Sequence, residues 1–223
     1  MNSQQDDWWS AHELMQSTQV WGKFYETEIA GCPEKLRSHL EIFPNTWEPS
    51  QAIDSPPDLL VVMMNPGSSE PLTSLESYQG FVPTRPDNTQ YQIMRLLRRT
   101  CGIGLDWQHA RILNLSDLRT PKSATLFEKL AKYATDDQHS IFSTRRQSEL
   151  ARSAPDTNIP VLFGWGLNRA LNALARRAIT ALPNRRVLGV SADSLAYRHP
   201  LPQRFDFQRQ WLDQLTRQIS ISP

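Results

Sequence analysis

The sequence predicts an α/β protein, a three-layer α/β/α sandwich around a central, mostly parallel four-stranded sheet. Three observations carry that expectation. The run from Leu59 to Met64 is uncharged, holds two adjacent valines and is entered from the turn-forming Ser55-Pro56-Pro57-Asp58, as expected of a strand buried on both faces. Three further strand-like segments follow at Ala110–Asn114, Ile159–Phe163 and Arg186–Val190. Segments of helical spacing separate them, and strand–helix alternation favours a parallel sheet with both faces covered.

Taken in order, residues 1–57 read as a helical part that packs on the sheet. Asp6-Asp7 offers caps ahead of Trp8, Trp9, His12 and Leu14, and Val20, Trp21 and Phe24 form a second apolar stripe. Residues 58–219 form the core of one domain spanning 1–223. The stretch from Gly67 to Pro86 is long, polar and rich in turn formers, the kind of loop that is usually functional or disordered. Asp87-Asn88-Thr89 caps a helix through Thr100, with Ile93, Leu96 and Leu97 on one face and Arg95, Arg98 and Arg99 on the remaining surface. Ser123 caps another helix, and helical character resumes between Ser143 and Ala154. A helix from Asn168 to Leu182 follows the third strand. The fourth strand is short and sits towards an edge. A last amphipathic helix, from Phe205 to Ile219, buries Trp211, Leu212 and Leu215.

The net charge of +1 hides an asymmetry: Met1–Met94 carries −9 and Arg95–Pro223 carries +10, mostly as arginine. Arginine suits planar, bidentate phosphate contacts, so a nucleic-acid partner is the expectation. Cys32 and Cys101 read as free thiols of a reducing cytosol, and they are too few for a four-cysteine cluster. No signal peptide or membrane span is expected, and the five histidines form no zinc signature. A cytoplasmic monomer without metal or cofactor is the expectation. Deaminase and Gly-x-Ser-x-Gly hydrolase signatures are missing.

Three strand exits carry polar residues: Asn65, Asn114 and, beyond the fourth strand, His199. With its neighbours this set resembles the uracil-DNA glycosylase superfamily. Met63-Met64-Asn65-Pro66-Gly67 is similar to that family's Gly-Met-Asn-Pro-Gly strand exit, and His199-Pro200-Leu201-Pro202 to its His-Pro-Ser-Pro motif. Ile112-Leu113-Asn114 and Phe163-Gly164-Trp165-Gly166 match the elements between, in the same order, over residues 58 to 215. A family with Met-Asn-Pro and His-Pro-Leu motifs is a still nearer likeness.

The resemblance implies excision of a base from DNA. Asn65 would hold the attacking water, and His199 would donate a hydrogen bond to the pyrimidine oxygen as charge grows there. Asn114 would read the edge of the flipped base, over Met64, with Tyr78 or Phe81 stacked on it. Backbone amides at Gly67 and Ser68, with Arg198 or Arg204, would grip phosphates. Either Leu201 or Gln203 would wedge into the stack, since Leu201 stands where many members have Ser and Gln203 where they have Leu. The long polar loop after Gly67 puts plain uracil in doubt and suits a modified pyrimidine, such as the glucosylated hydroxymethylcytosine of some phage DNA. A phage-defence enzyme is therefore one expectation. A non-catalytic nucleic-acid-binding module of the same fold and a hydrolase of free nucleosides are the alternatives.

Overall fold

The computed structural model describes residues 8–73 and 80–221. The elements run α1 (Ala11–Met15), β1 (Thr18–Ile29), β2 (Cys32–Pro44), α2 (Pro49–Asp54), β3 (Leu59–Met63), β4 (Phe81–Pro83) and α3 (Asn88–Cys101). They continue as β5 (Ala110–Asn114), α4 (Ser123–Lys132), α5 (Gln147–Ser153), β6 (Val161–Phe163), α6 (Asn172–Ala181), β7 (Val187–Leu188) and α7 (Phe205–Ser220). The described residues form a mixed α/β protein with a seven-stranded sheet, where four strands were expected, in the order β4-β1-β2-β5-β3-β6-β7. Its parallel part comprises β5, β3, β6 and β7, the four strands expected from the sequence, with β7 at the edge.

The three added strands come from stretches read otherwise. Residues 18–44 form a long antiparallel hairpin where helix was expected, and β4 lies in the stretch read as loop. The hairpin turns on Ala30 and Gly31, both at positive φ (47° and 77°), the conformation of a two-residue turn whose twist matches that of the strands. Its second strand hides its period because Leu36 through Phe43 are buried without interruption. Aromatic and β-branched residues then favour the sheet once a partner strand exists. Helix α1 is a single short turn region capped by Ser10, which forms a capping box with Glu13; Asp6 and Asp7 lie outside the described residues. Ser123 opens α4 without capping it, since Lys122 is the N-cap residue.

Both faces of the sheet are covered. On one, Leu40, Val61, Met63 and Ile112 pack against Ile93, Leu96 and Leu97 of α3 and Trp211, Leu212 and Leu215 of α7. On the other, Leu60, Val62, Leu113 and Phe163 pack against Leu150 of α5 and Leu174, Ala175 and Ala178 of α6. All five residues of β3 are therefore buried, which explains its unbroken apolar text. No described helix is long and apolar enough to cross a membrane.

The basic half is less exposed than its composition implies. Arg95 is buried, donates from Nε to the Trp9 carbonyl (2.9 Å) and stacks over the Trp8 ring. Arg99 pairs with Asp213 at 2.5 Å, and Arg98, the exposed member of the three, lies over Trp9. Two of the three arginines expected on the α3 surface are thus engaged within the fold.

Candidate functional site

The exits of β3 and β5 are neighbours: Met63 lies opposite Asn114 in the parallel ladder, and the Leu115 and Ser116 amides donate to the Met63 and Met64 carbonyls (2.8 and 3.2 Å). Beyond β3 the chain turns at Pro66-Gly67, with the Ser69 amide donating to the Pro66 carbonyl and Gly67 at φ 63°, a conformation that favours glycine. From the other side, Gly164 lets the His199-Pro200 segment come close. A β-carbon there would stand 3.0 Å from the Pro200 ring and 3.2 Å from the Met63 sulfur. Asn65, Asn114 and His199, from three distant parts of the chain, consequently line one cavity of about 250 Å³.

Each of the three is held differently. The Asn65 Nδ2 group faces three acceptors, the Leu118 carbonyl (3.1 Å) and the carbonyl and hydroxyl of Thr120 (both 3.0 Å). Two carbonyls can only be served by the amide nitrogen, which fixes the orientation and turns Oδ1 away from them. In His199, Nδ1 accepts from the Leu201 amide at 3.1 Å, so the neutral ring carries its proton on Nε2. Burial holds the imidazole below its ordinary value and favours that neutral form. Asn114 is 0% exposed, and neither its Nδ2 nor its Oδ1 has a hydrogen-bond partner. A buried side chain with a donor and an acceptor both unmade is costly, by about 1–3 kcal/mol per group. Such a residue calls for a reason.

The rest of the wall comes from Met63, Met64, Gly67, Thr120, Pro121, Ser123, Ile112 and the start of α3, where Asp87 accepts the Thr89 and Gln90 amides at 2.8 and 3.0 Å. Met64 and Gly67 thus line the same cavity as Asn65, Asn114 and His199. Phe81 does not: it lies on β4 and lines a different cavity of about 1000 Å³, with Lys23 over its ring. Strand pairing with β1 carries it there. Tyr78 lies outside the described residues. Ser68 is exposed beside the turn.

Of the remaining contact residues, Arg198 is exposed and lines an apolar cavity of about 470 Å³ with Leu167, Phe207 and Trp211, a cavity that shares His199 with the first. Leu201 is half-buried and Gln203 exposed on the adjoining surface. Arg204 forms two hydrogen bonds to Asp206 (2.6 and 3.0 Å) and lies over Phe207, so its charge is already met.

Among the wall residues that the sequence did not single out, one is a buried charge. Arg37 of β2 is 2% exposed and lines the same cavity as Asn65, Asn114 and His199. Nothing in its sequence neighbourhood marks it. Compared with protein-family models, curated proteins and solved structures, the chain shows no match.

Proposed function

We propose that this chain is a DNA glycosylase with the glycosylase-type arrangement of strands, hydrolysing the N-glycosidic bond of a flipped-out uracil-like or modified pyrimidine to leave an abasic site. The observation that carries the reading is Asn114, a buried amide with both hydrogen-bonding ends unmet, on the wall of a cavity shared with Asn65 and His199. A pyrimidine edge, with an acceptor oxygen beside a ring N–H or a ring nitrogen beside an amino group, complements such an amide.

The chemistry follows from the pinned orientations. Asn65 Oδ1 accepts a hydrogen bond from the attacking water and aims its oxygen at C1′, a positioning role suited to a group too weak to be a strong base. As the C1′–N bond breaks, its electron pair remains on the base. His199 donates from Nε2 to the base oxygen on which that charge collects. The water oxygen bonds C1′, and the proton it loses balances the departing base anion. The base has to leave the helical stack first, because its edges are hidden in the duplex.

Mass spectrometry of bases released from plain, hydroxymethylated and glucosylated DNA tests the reading. Release from at least one substrate is expected, falling about a hundredfold or more in Asn65→Ala and His199→Ala with DNA binding kept. Inertness of the wild type towards every substrate sinks it. The internal engagement of Arg95, Arg99 and Arg111 favours a second reading, hydrolysis of free nucleosides, which needs no extended basic surface. Faster cleavage of a nucleoside than of an oligonucleotide would select it.

A further inference from the structure

Arg37 reaches the candidate cavity because of an irregularity in β2. The hairpin register runs Lys23 opposite His39 and then Phe24 opposite Arg37, which leaves Ser38 as an extra residue. Such a bulge re-aims the side chains beyond it. Without it, strict alternation would put Arg37 on the same face as His39 and Glu41. With it, Arg37 shares the face of Leu40 and Asn114, while Ser38 and His39 both line the large cavity on the other side.

The guanidinium that arrives there is buried, and its Nε and Nη1 have no hydrogen-bond partner. Asp87 lines the same cavity, but its carboxylate caps α3 and no ion pair joins it to Arg37. Burial pushes Arg37 down to about 10, with Asp87 and Asp117 opposing that and Arg119 adding to it, so the group is still a cation at neutral pH. An unpaired cation in a buried wall is expensive to keep. The N-terminus of the 14-residue helix α3 opens onto the same cavity, where the Asp87 carboxylate already caps it.

We infer that Arg37 receives a negative charge carried by the base in this cavity. That charge is either a carboxylate substituent on a pyrimidine or the ring anion formed when the glycosidic bond breaks. The inference rests on the cavity being a base pocket; its test is arranged to separate it from base excision.

Calorimetric titration of free thymine and of uracil bearing a carboxylate at C5 or C6 tests the first source. The wild type is expected to bind a carboxylated base about tenfold or more tightly than thymine, a gap lost in Arg37→Met and partly kept in Arg37→Lys. For the second source, excision of uracil and of 5-fluorouracil from DNA is compared. Fluorine stabilises the departing anion, so Arg37→Met should widen the preference for 5-fluorouracil if Arg37 carries that charge in the wild type.

Either result supports the inference. No gap in binding together with an unchanged excision ratio overturns it. So does a large fall in melting temperature for Arg37→Met, because it would make Arg37 a support of the fold. If no DNA is cleaved at all, base excision fails on its own and the titration alone decides the role of Arg37.

Discussion

Arg37 and Arg111 are both buried and stand on neighbouring strands, yet their surroundings are opposite. Arg111 lines the large charged cavity and has a partner at every nitrogen. Nε donates to Glu41 at 2.6 Å, Nη1 to the Ser153 carbonyl at 3.0 Å, and Nη2 to the Ala52, Ile53 and Ser55 carbonyls at 3.1–3.3 Å. Glu41 in turn meets His109 at 2.8 Å. Burial by itself would raise the Glu41 carboxyl, but Arg111 and His109 hold it below the ordinary value. In the small cavity, Arg37 and Asn114 carry donors and an acceptor that meet nothing. Pairing of this kind is what a structural charge needs; its lack at Arg37 and Asn114 is the contrast on which the proposed ligand-binding role rests.

The comparison is broken most forcefully at Glu41. Glu41→Ala leaves Arg111 and His109 buried without their shared partner, and a loss of roughly 3–5 kcal/mol in denaturant unfolding is expected. A loss under 1 kcal/mol would mean the cluster is not the support described.

Acid exposes the same region. His39 is pushed down to about 4, first by burial, with Glu41 and Glu149 opposing and Arg111 and Lys23 adding to it. The unfolded chain then binds the proton more readily than the fold, so the associated stability is present above about pH 6.5 and is lost as pH falls towards 4. That component is on the order of 3 kcal/mol at most. Melting temperatures of wild type and His39→Gln across this window should diverge, with the variant showing the shallower decline. Parallel curves would remove His39 from the account.

Asn114→Ala sharpens the contrast from the other side. Removing an amide with two unmet groups should leave stability unchanged or raise it by about 1 kcal/mol, while base release disappears. Destabilisation by several kcal/mol would class Asn114 with Arg111. The smallest effect is expected at Arg204, exposed and paired with its own neighbour Asp206: Arg204→Ala should leave melting and DNA affinity essentially as they were.

The strand exits could be read from the text because β3 and β6 are unbroken apolar runs and β5 is interrupted only by Arg111, and a polar residue ending such a run has to sit at the rim of the sheet. Asn65 and Asn114 follow from that pattern, and His199 from its Pro-flanked segment. The β1–β2 hairpin could not be read in the same way. Its second strand is covered on both sides, which removes the period-two signal and leaves a string of apolar and charged residues that suits a helix equally well. Phe81 went astray for a related reason, since the short β4 exists only because β1 offers it an edge.

The amino-acid order by itself determined where the parallel strands lie and which polar side chains end them, because burial on both faces leaves a local mark. Only the tertiary structure decided that Arg37 joins them. Its direction depends on one extra residue, Ser38, set against a partner strand, and pairing between distant segments leaves no mark in the residues that it turns.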